Sequence, residues 1–268
     1  MRCVKISPIV VAVIAAIGCG GAKPQEAAAT VQQQEEKPIV LAEAPAAVVA
    51  AAPSATGAPA IKGTVKFEGT IPAAEKVKMD ADPVCKQQHT TPVMSEEVVV
   101  NSDGTLKNVF VYVKEGAKGP FPVPAEPVIL DQKGCWYSPH VFGIMVNQPF
   151  EITNSDASLH NVNAKPTVNQ PFNIAQPTKG MKTTKKFTKP ELSIHFKCNV
   201  HPWMKAVGHV VENTFYSVSG EDGTFAITGL VAGTYTIEAV HEKYGAQTQS
   251  VTVIDGQAAS VDFIFKAQ

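Results

Sequence analysis

Arginine is almost missing from this chain. Arg2 is the only one among 268 residues, so every other fixed cation is a lysine. A protein without guanidinium forks is poorly equipped to read base edges or clamp phosphates, which argues against nucleic acid as a partner. Long apolar runs are missing too. The N-terminal run Ile6–Ile17 has 12 residues, too short to span a bilayer. Aromatic residues make up 7%, charged residues 18%, and the formal net charge is −1. No single sign of charge dominates, whereas the 44% hydrophobic content supplies a packed core and excludes bulk disorder. Helical periodicity is absent past residue 60, and His-x-His pairs are absent throughout.

The N-terminus carries a targeting pattern. Arg2 and Lys5 precede the apolar run, and Ala16-Ile17-Gly18-Cys19 follows it. A small residue directly before a cysteine at this place resembles the cleavage site of bacterial lipoproteins, with Ala16 where that family usually has Leu. The resemblance implies a signal peptide over 1–18 and a lipid on Cys19. An ordinary signal peptide is the alternative, and both imply export to the periplasmic side, where disulfides persist. Residues 19–60 read as a tether. Between 20 and 60 stand 14 alanines, 5 prolines and no aromatic residue, a composition that builds no core.

From Ile61 onward the pattern has period two. Val109, Val111 and Val113 alternate with Asn108, Phe110 and Tyr112; Tyr235, Ile237 and Ala239 alternate with Thr234, Thr236 and Glu238. Leu192, Ile194, Phe196 and Cys198 are placed on one inward face, and Val261, Phe263 and Phe265 on another. Asp-Gly turn signals at 103, 222 and 255 punctuate the strands. This predicts an all-β chain of sandwich type. Residues 135–211 carry eight lysines against three acids, and residues 212–268 two lysines against seven acids. That break predicts a boundary near 212.

The chemistry lies between 154 and 204. Cys198-Asn199-Val200-His201-Pro202-Trp203-Met204 presents a thiol, an imidazole and a thioether at spacing C-x2-H-x2-M, and His160 supplies a second imidazole upstream. Two imidazoles and one thiolate with a weak axial thioether form the ligand set of a blue-copper site. His160, Cys198, His201 and Met204 are therefore candidate ligands of one type 1 copper ion. Each residue alone is a weak signal, since a lone histidine is usually a surface group and a lone methionine usually core.

At these residues the chain resembles the cupredoxins. Asn154, Asp156, His160, Asn161 and Val162 match that family's first ligand motif; Phe196, Cys198, His201, Pro202 and Met204 match its second, and the short loop is most similar to the amicyanin and pseudoazurin kind. The resemblance covers about 135–211. It implies a Greek-key β-sandwich, with Asn161 tying the His160 loop to the Cys198 loop. It also implies His201, beside Pro202 and Trp203, as the exposed edge through which electrons leave. Downstream, Gly220 to Leu230 followed by Ala232-Gly233-Thr234-Tyr235 resembles carboxypeptidase regulatory-like domains, small prealbumin-like β-sandwiches without catalysis of their own. This assigns 212–268. The opening strand of such domains often reads like Ile61-Lys62-Gly63-Thr64-Val65, so 61–134 belongs either to the copper domain or to the C-terminal sandwich. His241 and Glu242 read as surface residues.

With Cys19 lipidated and Cys198 on copper, Cys85 and Cys135 remain. The default in an exported chain is a disulfide. Cys85, His89, Cys135 and His140 also make an inventory that zinc would accept, and free thiols are the third option. The leading functional reading is a tethered, non-enzymatic carrier of single electrons between redox proteins. The lysines at 179, 182, 185, 186 and 189 are candidates for steering an acidic partner. Copper storage or delivery, and a metal-free surface interaction module, are the alternatives.

Overall fold

The computed structural model describes residues 59–267. The expected signal peptide, Cys19 and nearly all of the tether lie outside the described residues. Among those described, no helix is long and apolar enough to cross a membrane. The described residues are all-β, with one short helix, α1 (Pro83–Gln87).

Among the described residues, seventeen strands build four sheets. Two sheets use the outer parts of the chain. In one, β13 (Thr224–Thr228), β1 (Pro59–Glu68) and β16 (Ala259–Ser260) lie side by side, and β17 (Phe263–Lys266) also pairs with β1. In the other the order is β12 (Tyr216–Val218), β2 (Phe110–Glu115), β14 (Gly233–His241) and β15 (Gly245–Val253). The inward residues of both sheets make one apolar core: Ile61 and Val65 from β1, Val111 and Val113 from β2, Tyr235, Ile237 and Ala239 from β14, and Phe263 and Phe265 from β17. Strands β1 and β2 thus pair with the C-terminal strands. Gly63 lets β1 come close to its neighbour, because a Cβ there would stand 1.7 Å from the Val261 carbonyl oxygen.

The other two sheets come from the middle of the chain. One runs β5 (Val141–Met145), β11 (Lys205–Val211), β10 (Glu191–Lys197), β7 (His160–Lys165), β8 (Phe172–Gln176). The second runs β4 (Tyr137–Ser138), β3 (Val128–Gln132), β6 (Phe150–Asn154), β9 (Lys182–Lys185). Their core holds Leu130, Phe142, Phe150, Ile152, Ile194 and Phe196, and at one end Cys198 and Met204. Leu192 leaves the face expected for it. A register shift between Glu191 and Ile194, with Ser193 at φ +56°, breaks the alternation of β10. Leu192 packs instead against Phe110, Val141, Val207, Val211 and Tyr216.

That last cluster is the seam between the two sandwiches. Phe110 is buried although it alternates with the inward valines of β2, because its ring stacks on His209 at 4.3 Å. Gly143 is required there, since a Cβ would come within 2.6 Å of both the Tyr216 and the Phe110 rings. Of His241 and Glu242, both read as surface residues, one is buried in the outer sandwich and the other reaches across the seam. His241 is buried against Tyr244, and Glu242 pairs with His140 across the two halves. Burial pushes the His140 imidazole down, but the Glu242 carboxylate outweighs it and the net shift is upward.

Candidate metal centre

Strand ends and one tight loop bring the donors together. Cys198 directly follows β10, whose Ile194 and Phe196 are inward, so its thiol enters the end of the core. The chain then turns back on itself. The His201 N–H donates to Cys198 Sγ at 3.4 Å, the Met204 N–H to the His201 carbonyl at 2.9 Å, and the Cys198 N–H to the Met204 carbonyl at 3.1 Å. His201 and Met204 are thereby folded inward, and both are buried. His160 begins β7, which pairs with β10. Nitrogens of His160 and His201 and the sulfur of Cys198 lie within 4.8 Å of one another.

Each imidazole is oriented by a carboxylate. His160 Nε2 lies 2.9 Å from Asp156 Oδ2, and His201 Nε2 lies 3.0 Å from Asp82 Oδ2. An ionised carboxylate only accepts, so both Nε2 atoms carry hydrogen and both Nδ1 atoms face the centre. The two Nδ1 atoms are 3.0 Å apart. Two bare lone pairs at that distance repel unless a positive charge stands with them. A proton does so in the metal-free protein. Burial works against charging His160, but Asp156 and Cys198 prevail and its pKa is raised to about 9. Burial likewise works to raise Cys198, but hydrogen bonds from His160 and from backbone donors bring it down to about 7. A metal ion takes the place of such a proton when it binds. Soft sulfur and two imidazole nitrogens in one buried pocket suit copper, so the donor chemistry fits the expected ion.

The loop before His160 is held from within. Asn154 Nδ2 donates to the carbonyls of Ser158 and Gln176 at 3.0 and 2.8 Å, and its Oδ1 accepts from the Asp156 N–H at 2.9 Å. Asp156 accepts from the Gly134 and Cys135 N–H groups at 2.8 and 2.7 Å. Burial would raise its carboxyl; these bonds and His160 hold it below the usual range. Asn161 Oδ1 accepts from the Asn199 N–H at 2.8 Å and lies 3.4 Å from Cys198 Sγ, joining the two ligand loops.

One expectation at the site needs correction. His201 is not an exposed edge: it is only 2% exposed, with Asp82, the Cys85–Cys135 sulfurs and the Trp203 ring packed near it. Of the options open for Cys85 and Cys135, the structure has the disulfide and not the zinc set with His89 and His140. Cys85 and Cys135 are joined in a disulfide, His89 Nε2 bonds the Gly134 carbonyl at 2.7 Å, and His140 turns to Glu242. Sequence reasoning also missed Asp82. Its Asp-Pro start is a helix N-cap signal, but nothing local to it points at His201.

Residues 208–266 match the family described as carboxypeptidase regulatory-like domain, which runs from the end of β11 into β17. Among solved structures, the chain is similar to a Cu-containing nitrite reductase from Thermus scotoductus SA-01, at 27% identity and a TM-score of 0.28, over 38% of this chain and 25% of that one. The chain thus spans about a quarter of the reductase's length. It is also similar to an oxidized amicyanin variant, at 21% identity and TM-score 0.29, over 32% and 82% of the two chains. A purple cupredoxin from Nitrosopumilus maritimus matches at 22% identity and TM-score 0.28, over 33% and 100%. No match to a curated protein was found. The carboxypeptidase regulatory-like resemblance seen in the sequence thus recurs in the family match over the C-terminal strands.

Proposed function

We propose that this protein is a carrier of single electrons built around one type 1 copper ion, which His160, Cys198, His201 and Met204 would hold. The observation that carries the reading is the convergence of two inward Nδ1 atoms and one thiol within 4.8 Å, with both Nε2 atoms tied to carboxylates. Copper held by such donors supplies a one-electron couple. The chain's part is to fix the donors before the ion arrives and to keep water away. Asp156 and Asp82 set the imidazole tautomers, Asn161 locks the loops, and Phe196 and the core behind it keep the site dry. Four protein ligands leave no position for a substrate, so the reading assigns no catalysis. Export, a lipid anchor on Cys19 and a redox protein partner complete it, with 19–60 as the spacer from the membrane.

The test is the visible and electron paramagnetic resonance spectrum of the full chain after copper(II) loading. An intense visible thiolate-to-copper band that bleaches and returns with redox cycling is the expected result. A colourless protein that holds only copper(I) overturns it in favour of storage or delivery. No bound metal overturns it in favour of an interaction module.

A further inference from the structure

Asp82 does two unrelated jobs with its two oxygens. Its Oδ1 caps α1, accepting from the Val84 and Cys85 N–H groups at 2.9 and 3.1 Å. Its Oδ2 has no part in the cap and meets His201 Nε2, 119 residues away, at 3.0 Å. One residue into the helix from Val84, Cys85 is bonded to Cys135. The Cys135 N–H donates to Asp156 Oδ2, the same oxygen that faces His160. The two orienting carboxylates are therefore joined mechanically: His201, Asp82, the first turn of α1, the disulfide, Asp156 and His160 form one closed circuit. Two more bonds fasten it, from Trp203 Nε1 to the Cys135 carbonyl at 3.1 Å and between His89 Nε2 and the Gly134 carbonyl. Met79 anchors the near end of the segment in the core.

We propose that Met79–His89 is a disulfide-held lid over the His201 edge of the metal centre, with Asp82 as the residue that positions His201. The proposal rests on the copper reading for its function. It differs from it in substance, because it assigns the shielding of the centre to a remote segment and makes the Cys85–Cys135 bond the pin of that shield. With the lid in place, a redox partner meets Asp82 and α1 rather than a bare imidazole. Without it, His201 loses both its orientation and its cover.

The first experiment uses the full chain without metal. Cys198 is only 1% exposed, and its alkylation by N-ethylmaleimide is followed by peptide mass spectrometry. In the double variant Cys85→Ser/Cys135→Ser, and in Asp82→Ala, Cys198 should react about tenfold faster or more, because local opening limits access to a buried thiol. Equal rates in all three proteins overturn the lid. The second experiment uses Asp82→Asn after copper loading. Asparagine caps helices as well as aspartate does, but it has one acceptor oxygen. With that oxygen on the cap, an NH2 group faces the His201 N–H. The helix stays and the positioning contact goes. Copper affinity should fall about 10–100-fold, with altered histidine-nitrogen couplings in the resonance spectrum. A variant that matches wild type in both overturns the positioning role. If wild type binds no copper, the electron-carrier reading fails by itself, while the alkylation rates still decide the lid.

Discussion

The two sandwiches bury polar groups in different ways. In the one formed by β1, β2 and β12–β17, the buried polar residues stand apart: Ser219 bridges two neighbouring chain segments, and Glu238 answers Lys114 and Tyr112. Tyr235, Ile237 and Ala239 keep their alternation there, although β1 and β14 each carry a register shift, between Pro59 and Ile61 and between Thr236 and Ile237. In the other, Asn154, Asp156, His160, Asn161 and His201 are all buried at one end and bonded through one another's loops. There β10 also breaks its alternation at Ser193. Both halves depart locally from the period of their strands, but only the middle one brings two imidazoles and a thiol together, buried at one end.

The largest effect expected on that contrast is all-or-none. Cys198→Ser removes the only sulfur among the three converging donors. The visible band of the copper-loaded protein should vanish, since it requires thiolate on copper(II). A serine variant that stays blue would show that the donor set has been misassigned.

The opposite half should respond in the opposite way. Phe263 is fully buried in the apolar core of the outer sandwich. Phe263→Ala should cost about 3–5 kcal/mol of stability through lost burial and the cavity it leaves, read by thermal or denaturant unfolding. The visible spectrum of the folded fraction should not change. A spectral change would mean that the two cores are coupled more tightly than their separate clusters suggest.

How far the sequence revealed each half follows from the distances along the chain. Cys198, His201 and Met204 lie in seven consecutive residues, so a short pattern displays them. His160 and Asn161 add a second compact pattern. Asp82 contacts His201 across 119 residues, and no pattern reaches that far. The burial of His201 was missed for the same reason, because Asp82 and the disulfide packed near it come from distant segments. Strands β1 and β2 look like any alternating strands. Their partners, β13 and β14, are set by pairing over more than a hundred residues, which composition does not encode. Leu192 was misplaced by a local cause: one residue at positive φ reverses the faces beyond it.

Asn161 tests whether the gathered polar groups serve the metal or merely the fold. Asn161→Ala removes the acceptor for the Asn199 N–H and the contact with Cys198, while leaving all four proposed ligands in place. Copper affinity, measured by competition, should fall about 10–100-fold. The metal-bound protein should lose more thermal stability than the metal-free one, because binding energy counts only in the folded state. Equal small losses in both forms would reduce Asn161 to a loop-packing residue.

The smallest effect lies at the seam that joins the halves. His209 on β11 is buried against Phe110 and accepts from the Ser193 N–H at 3.3 Å. Burial, with the nearby charge of His195 adding to it, depresses its pKa to about 3. An unfolded chain binds a proton at this imidazole near pH 6.5, whereas the folded chain stays neutral until about pH 3. Between those values the unfolded state holds more protons, so stability rises with pH across the window and is lost on acidification. From pH 7 to pH 6 this one group should remove about 0.7 kcal/mol. His140 contributes with the opposite sign, since its pKa is raised, and His241 with the same sign as His209, its pKa lying at about 4. Both remain in a His209→Gln variant. Subtracting the variant's pH profile from that of wild type therefore isolates the seam residue, whatever the substitution costs in stacking. The difference should slope over pH 7 to 5 and be flat above 7.5. A flat difference throughout would mean that His209 takes up its proton in the folded protein, and that the seam between the two sandwiches opens to water more readily than its packing implies.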